Sequence, residues 1–190
     1  PLLPAQRGRD RDAAAHVLRN ELQRLSTLLN EFLAFARPRP LRPWTHGLGS
    51  LLGPIAELLR PDADAAGAAI VVETPTREVW AEIDEERLRQ VLINLVRNAL
   101  EASARRITLR VRRVGPHAEI DVEDNGGGIS IGTPIFDAFF TTKEQGTGLG
   151  LSIVHRIIDD HGGTISLRSQ PGATVFTLRL YATSAPMDPD

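Results

Sequence analysis

Residues 94–102 read NLVRNALEA, and residues 124–129 read DNGGGI. The first stretch belongs to a run, residues 84–103, whose apolar positions recur at spacings of three and four and predict an amphipathic helix. Asn94 and Asn98 lie one turn apart at the border of the apolar stripe, so both amides are on the same edge of that helix. Such a pair suits a hydrated cation or a phosphate, and two asparagines on a solvated face are the plain alternative.

Two glycine-rich segments lie in the second half of the chain. Asp124 follows a predicted strand, where a carboxylate can accept a hydrogen bond from an exocyclic amine while the glycines after it let the backbone approach a flat ring. GTGLG at residues 146–150 precedes a predicted helix, and backbone N–H groups there suit an anionic phosphate. Each segment alone also fits an ordinary turn, and no strand leads directly into residues 146–150 as the dinucleotide-binding fingerprint requires.

Composition excludes several classes of protein. The 190 residues contain no cysteine, which rules out disulfides and thiolate metal sites and fits a reducing, cytoplasmic compartment. A formal net charge of −2 argues against nucleic acid as the main partner. No apolar run is long enough for a membrane span, and no signal peptide is visible. Of the 22 basic residues, Lys143 is the single lysine.

The chain is predicted to divide at a cluster of prolines. We expect a disordered lead-in at 1–12, a long helix at 13–37, a proline linker at 38–44, a mixed domain at 45–182 and a flexible tail at 183–190. The long helix needs a partner helix, because its apolar stripe has nothing of its own to pack against. That stripe consists of Leu18, Leu22, Leu25, Leu29, Phe32, Leu33 and Ala36.

The mixed domain is predicted to be α+β. Its helices are expected at 50–60, ended by Pro61, at 84–103 and at 149–160. Its strands are expected at 70–73, 79–83, 107–114, 118–123, 164–168 and 175–180, with a hairpin turn at Gly115-Pro116. Hairpins outnumber parallel crossovers in this order, so we expect a two-layer α/β sandwich with a mostly antiparallel sheet under helices.

Five segments in order resemble the boxes of the histidine-kinase ATP-binding domain. That domain belongs to the superfamily of gyrase, heat-shock-chaperone, histidine-kinase and mismatch-repair ATPases. The resemblance covers residues 45–182 and implies the Bergerat-type fold, with ATP or ADP held between helices and one face of the sheet. The segments are NLVRNALEA, DNGGGI, IFDAFFTTK at 135–143, GTGLGL at 146–151 and GAT at 172–174.

The resemblance implies a role for each matching residue. Asn98 would chelate Mg²⁺, Asn94 would make polar contacts beside the phosphates, and Asp124 would accept the adenine amino group. Lys143 would place a point charge on the terminal phosphate, with a solvated lid lysine as the alternative. The remaining expected binding residues give the base room (Gly126, Gly128), anchor the lid (Phe136, Phe139, Phe140), cradle the phosphates (Gly146, Thr147, Gly148, Leu149, Gly150) and close the adenine end (Thr174).

The resemblance also implies a reaction class. Hydrolytic members of the superfamily carry a glutamate as general base where this chain has Asn94, which cannot accept a proton. Histidine kinases also carry asparagine there, so phosphoryl transfer to a strong nucleophile is the expected reaction. An anti-sigma-factor serine kinase and a non-catalytic, nucleotide-sensing dimerisation module are the alternatives.

The long helix resembles the second helix of the dimerisation and phosphoacceptor hairpin, including its FARP exit at 35–38. We therefore expect a homodimer through helix 13–37, with a phosphoacceptor hairpin and a response-regulator receiver domain as partners. His16 is not expected to be the phosphoacceptor, because Val17 and Glu21 replace the acidic residue and the proline of that motif. The chain alone is accordingly expected to autophosphorylate barely at all.

Overall fold

The computed structural model describes residues 40–130, 132–143 and 146–186, together with Leu18, Arg19, Leu22, Ser26 and Leu29. The chain divides into two compact units, Pro1–Arg39 and Pro40–Asp190. In the first unit the five described residues are helical, and the side chains of its three described leucines are exposed. The expected lead-in at 1–12, His16 and the rest of the apolar stripe lie outside the described residues.

Among the residues described, the second unit consists of three helices and a seven-stranded sheet. The elements are β1 Trp44–Gly47, α1 Gly49–Ala66, β2 Ala69–Glu73, β3 Trp80–Ile83, α2 Glu85–Glu101, β4 Arg106–Val114, β5 His117–Asp124, α3 Gly150–Asp160, β6 Thr164–Gln170 and β7 Ala173–Thr183. The sheet order is β1-β3-β7-β5-β4-β2, with β6 paired to β7. Only the β2–β4 pair is parallel in this sheet, so the predicted two-layer sandwich with a mostly antiparallel sheet is confirmed.

The largest differences from the predicted elements concern α1, β1 and β7. Helix α1 does not end at Pro61 but continues to Ala66, because burial of Leu59 and Ala63 on its inner side outweighs the one backbone hydrogen bond that the proline removes. Strand β1 was not predicted, since its four residues follow a proline, end in a glycine and carry no alternating pattern. Strand β7 extends past its predicted end to Thr183, because its last residues pair with β3.

The two faces of the sheet have different chemistry. On the face toward the helices, Ile107, Leu109 and Ile120 are fully buried. On the other face, Glu119 is almost fully buried beneath two arginines, accepting hydrogen bonds from Arg112 and Arg179 at 2.6–3.0 Å. Since successive strand residues point to opposite faces, a single alternating pattern produces both the apolar core and this charged layer.

Helix α2 is fixed at its start by several contacts. Its N-cap residue Asp84 accepts from the N–H of Arg87 at 3.2 Å, and the Asp84 N–H donates to Nε2 of His161 at 2.9 Å. The N–H of Arg42 donates to the same carboxylate at 3.0 Å. Burial alone would raise the pKa of Asp84, but the hydrogen bonds from Arg42 and Arg87 outweigh it and lower the pKa. These contacts set the position of the helix that carries Asn94 and Asn98.

Candidate functional site

Asp124 lies at the end of β5 and is 6% exposed. Its Oδ1 accepts the N–H of Gly126 at 2.8 Å, which turns the chain back under the helix layer. Burial raises the pKa of this carboxyl, the nearby charge of Glu123 raises it further, and the Gly126 hydrogen bond opposes both. A side chain at Gly126 would meet the carbonyl oxygen of Ala102 at 2.7 Å, so a glycine is required where the loop passes α2. The result is an acceptor held in a confined, partly dehydrated place.

Thr174, which the resemblance assigns to the adenine end, lies beside Asp124, and the structure adds Ser169 to this group. Asp124 and Thr174 are direct partners between β5 and β7, and Ser169 and Thr174 are direct partners between β6 and β7. The Ser169 hydroxyl accepts the N–H of Ile129 at 2.8 Å and lies 2.9 Å from the Thr174 hydroxyl. Sequence reasoning missed Ser169, although the alternation of β6 would have placed it on the helix-facing side.

Asn94 connects α2 to the start of α3. Its Nδ2 donates to the carbonyl oxygen of Gly150, the first residue of α3, at 3.3 Å. The amide therefore acts as a donor in the protein itself and holds the end of the predicted phosphate-binding segment against α2.

The glycine segment before α3 is shaped by its contact with the aromatic segment. Gly148 has a φ of +69°, and a side chain there would lie 2.4 Å from the carbonyl carbon of Phe139. The N–H of Phe139 donates to the Gly148 carbonyl at 3.0 Å. The N–H of the buried Leu149 donates to Thr147 Oγ1 at 3.1 Å. The Phe139–Gly148 bond joins the aromatic segment to the glycine segment, and the Leu149–Thr147 bond shapes the turn into α3.

The three predicted lid aromatics do not share one environment. Phe136 packs against His155, with ring centroids 5.2 Å apart. Phe140 is half-buried, whereas the side chain of Phe139 is 61% exposed. Phe136 therefore attaches the segment to α3, and the exposed ring of Phe139 is the one of the three most open to solvent.

Lys143 and Asn98 meet across the site. The ammonium Nζ of Lys143 donates to Oδ1 of Asn98 at 3.2 Å and also pairs with Oε2 of Glu101, one turn further along α2. An amide oxygen and a carboxylate thus hold a cation at this point. Within the described ranges no cluster of three or more His, Cys, Asp or Glu side chains forms a complete metal site. Glu101 was not predicted, because its partner is 42 residues away in sequence.

Comparison with known proteins identifies this arrangement. Residues 83–184 match the family described as histidine kinase-, DNA gyrase B-, and HSP90-like ATPase. The chain belongs to this ATPase family. The match includes α2, the Asp124 loop, the glycine segment and Thr174, so the family predicted from the five short segments is confirmed.

Relatives of this ATPase-family domain are sensor histidine kinases. Sensor histidine kinase ZraS of Escherichia coli (strain K12) is 35% identical over 97% of the chain, which spans 41% of ZraS. Full-length ShkA in complex with AMPPNP is 30% identical, with a TM-score of 0.80 over 98% of the chain and 41% of ShkA. Histidine kinase ThkA in complex with response regulator protein TrrA is 31% identical, with a TM-score of 0.74 over 88% of the chain and 50% of the compared chain.

The ATPase-family domain is thus the catalytic ATP-binding domain of the sensor histidine kinase type. The chain spans about two fifths of the length of ZraS. None of the helices in the part of the chain that the structure describes is long and apolar enough to cross a membrane.

Proposed function

We propose that this domain transfers the γ-phosphoryl group of ATP to a histidine of a dimerisation domain. One observation carries the proposal: the Lys143 ammonium reaches Oδ1 of Asn98, while Asn94, in the same helix, acts as a hydrogen-bond donor. The site therefore gathers cationic and amide groups suited to phosphate and places no proton acceptor at position 94. Phosphoryl transfer depends mainly on such positioning and charge, with the nucleophile supplied by the substrate.

The base end of ATP is assigned to the Asp124 loop. Asp124 accepts the adenine amino group, and Thr174 completes the edge beside it. Gly126 and Gly128 leave the backbone close enough for the ring to lie against it. A side chain at Gly128 would meet the carbonyl oxygen of Gln170 at 2.8 Å, and its φ of +81° disfavours any other residue.

The phosphate end is assigned to the segment before α3. Asn94 fixes this segment from α2, and Lys143 contacts the terminal phosphate as a point charge. The positive end of the α3 dipole adds a favourable field for the anion. The residues that line the phosphates under this proposal are Gly146, Thr147, Gly148, Leu149 and Gly150, with Phe139 and Phe140 at the lid.

The donor set near Asn98 fits Mg²⁺. Oδ1 of Asn98 is a neutral oxygen ligand, and it accepts a hydrogen bond from the cationic Lys143 ammonium, which supports a cation at this atom. Mg²⁺ takes only a few protein ligands and completes its shell with water and phosphate oxygens, so a single amide oxygen suffices as a protein ligand. When bound, Mg²⁺ would neutralise part of the phosphate charge. Asn98 would hold it.

The partners follow from the proposed transfer. A phosphoacceptor hairpin supplies the histidine, a receiver domain of a response regulator takes the phosphoryl group onward, and a second copy pairs through helix 13–37. ThkA was solved with the response regulator TrrA, which supports a receiver domain as partner. The proposed reaction needs ATP, so we assign the domain to the cytoplasm, where ATP is available.

The test uses a separately produced phosphoacceptor hairpin and ATP labelled at the γ position. We expect acid-labile phosphate on a hairpin histidine, and its loss in Asn98→Ala. Acid-stable phosphate on a serine of an added substrate would favour the serine-kinase alternative. ADP binding without any transfer would favour the nucleotide-sensing module. Arg60→Ala, on the exposed side of α1, is the control and should transfer like the unmodified chain.

A further inference from the structure

A row of three polar side chains crosses three neighbouring strands on the helix-facing side of the sheet. Asp124 of β5 is opposite Thr174 of β7, which is opposite Ser169 of β6. Asp124 and Thr174 are buried, and Ser169 is half-buried. Opposite residues have Cβ atoms about 4.5–5.5 Å apart, so the Asp124 carboxylate and the Thr174 hydroxyl are close enough to act on one ligand group.

One direction of the hydrogen bonds in this row would suit a nucleotide base. The N–H of Ile129 donates to Ser169 Oγ at 2.8 Å, and a backbone N–H has no other role than donor. Ser169 Oγ and Thr174 Oγ1 lie 2.9 Å apart, and either hydroxyl can donate to the other. A hydroxyl carries a single proton, so when Thr174 accepts from Ser169, its own proton is directed to another group. In the arrangement in which Ser169 donates, Thr174 presents a donor next to the acceptor Asp124.

We propose that Ser169 is a positioning residue that makes the site selective for adenine. An acceptor beside a donor complements adenine, which offers the N6 amino group as donor and N1 as acceptor. Bases with an oxygen at position 6 offer the opposite pattern, an acceptor at O6 and a donor at N1–H. The O6 oxygen of such a base would lie against the Asp124 carboxylate, and its N1–H proton would lie against the Thr174 proton. Neither pair could form a hydrogen bond. This inference rests on the proposed ATP-binding function.

A purely structural role for Ser169 predicts a different outcome. The Ile129–Ser169 bond also ties the end of the glycine loop to β6, and loss of this tie would loosen the loop for every nucleotide equally. One quantity distinguishes the two roles: the ratio of the affinities for ADP and inosine diphosphate (IDP). These two ligands differ only at position 6 and in the protonation of N1, so the ratio reports the direction of hydrogen bonding.

The experiment is calorimetric titration of the whole chain with ADP and with IDP. We expect Ser169→Ala to lower the preference for ADP over IDP about tenfold, the value of one hydrogen bond to a positioned group. Ser169→Thr retains the hydroxyl and should restore the preference. Ser166→Ala, on the opposite face of β6 and exposed, should change neither affinity. Thr174→Val provides a second variant and should also lose the preference.

The possible outcomes distinguish failure of the Ser169 role from failure of the proposed function. Equal loss of affinity for ADP and IDP in Ser169→Ala would leave Ser169 as a structural brace and overturn the inference. Equal binding of ADP and IDP by the unmodified chain would also overturn it, while leaving nucleotide binding intact. Absence of ADP binding by the unmodified chain would instead overturn the proposed function itself.

Discussion

The Lys143 ammonium lies 3.2 Å from Oδ1 of Asn98, the oxygen assigned to Mg²⁺. The Lys143 side chain is 42% exposed, and where water screens them as in bulk two unit charges about 4 Å apart repel by about 1 kcal/mol. The ammonium and a divalent cation therefore compete for this oxygen. The lid lysine and the metal site are one coupled feature, although 45 residues separate Lys143 from Asn98 in sequence.

Replacing Lys143 by methionine separates two effects of this charge. With ADP, we expect the Mg²⁺ concentration needed for half-saturation to fall by about three- to tenfold, because no ammonium competes for Asn98. With ATP, we expect weaker binding, because the terminal phosphate loses a positive partner. Titration of Mg²⁺ into each nucleotide complex measures both. Arg60→Met, which removes an exposed positive charge on α1, is the control and should leave the Mg²⁺ requirement unchanged. An unchanged Mg²⁺ requirement with ADP would contradict the competition.

Asn94 allows a test of the reaction class. The unmodified chain should release phosphate from ATP very slowly, because position 94 carries a donor amide that is engaged with Gly150. Asn94→Glu supplies a proton acceptor, but it removes this tie and brings a negative charge toward the phosphates. We expect a gain far below the roughly 10²–10⁴-fold that a well-positioned base contributes. Asn94→Gln keeps the amide and should give no gain. Steady-state phosphate release is the measurement, and rapid release by the unmodified chain would indicate an ATPase.

Local patterns predicted most of this fold because each helix and strand has its own periodicity. The spacing of Leu88, Val91, Leu92 and Leu95 specifies α2 without reference to the rest of the chain, and these four residues are all buried. The continuation of α1 through Pro61 escaped prediction, because tertiary burial decided it against the local preference of proline.

Site residues could be predicted where they belong to a short motif, but not where a contact joins residues that are distant in sequence. Asp124 and Thr174 each belong to a recognisable segment, so their neighbourhood could be expected. Ser169 lies in a strand whose polar residues look alike in sequence, and its contact with Ile129 exists only once the strands pair. The Glu101–Lys143 pair depends in the same way on how the lid lies against α2.

Glu119 predicts how the stability of the domain changes with pH. Burial alone would raise the pKa of its carboxyl, but the hydrogen bonds from Arg112 and Arg179 outweigh burial and lower the pKa. A carboxyl with a lowered folded-state pKa stabilises the fold above its unfolded pKa of about 4.3, and the contribution is lost as the pH falls through the folded-state pKa. Glu119→Gln should therefore reduce the free energy of unfolding by about 2 kcal/mol near neutral pH and by progressively less in acid.

Urea denaturation across the acidic range measures the Glu119 effect. The two arginines are about half exposed and regain water when their partner is lost, so we place the cost below that of a fully buried pair. Glu123→Gln, on the same strand and face but more exposed, is the control and should change stability little. A constant difference between Glu119→Gln and the unmodified chain at all pH values would contradict the assigned ionic role.

Asp124 should show the opposite sign of pH dependence, because its pKa is raised, chiefly by burial. A carboxyl with a raised folded-state pKa favours the fold most below its unfolded pKa of about 3.9, and this advantage is lost as the pH rises through the folded-state pKa. Near neutral pH the ionised group therefore costs stability. Asp124→Asn removes that cost and keeps an oxygen for the Gly126 N–H, so we expect its melting temperature without nucleotide to equal or exceed that of the unmodified chain.

The same substitution should impair binding. The loss of a hydrogen bond to a charged group costs about 1.5–3 kcal/mol, so ADP affinity should fall about tenfold or more and most of the ADP-induced rise in melting temperature should disappear. Asp121→Asn is the matched control: Asp121 is equally buried on the same strand but pairs with Arg112 and Thr177 on the opposite face. This control should lower the melting temperature and leave ADP affinity unchanged. A destabilised Asp124→Asn that still binds ADP normally would show that the carboxylate serves the fold and not the nucleotide.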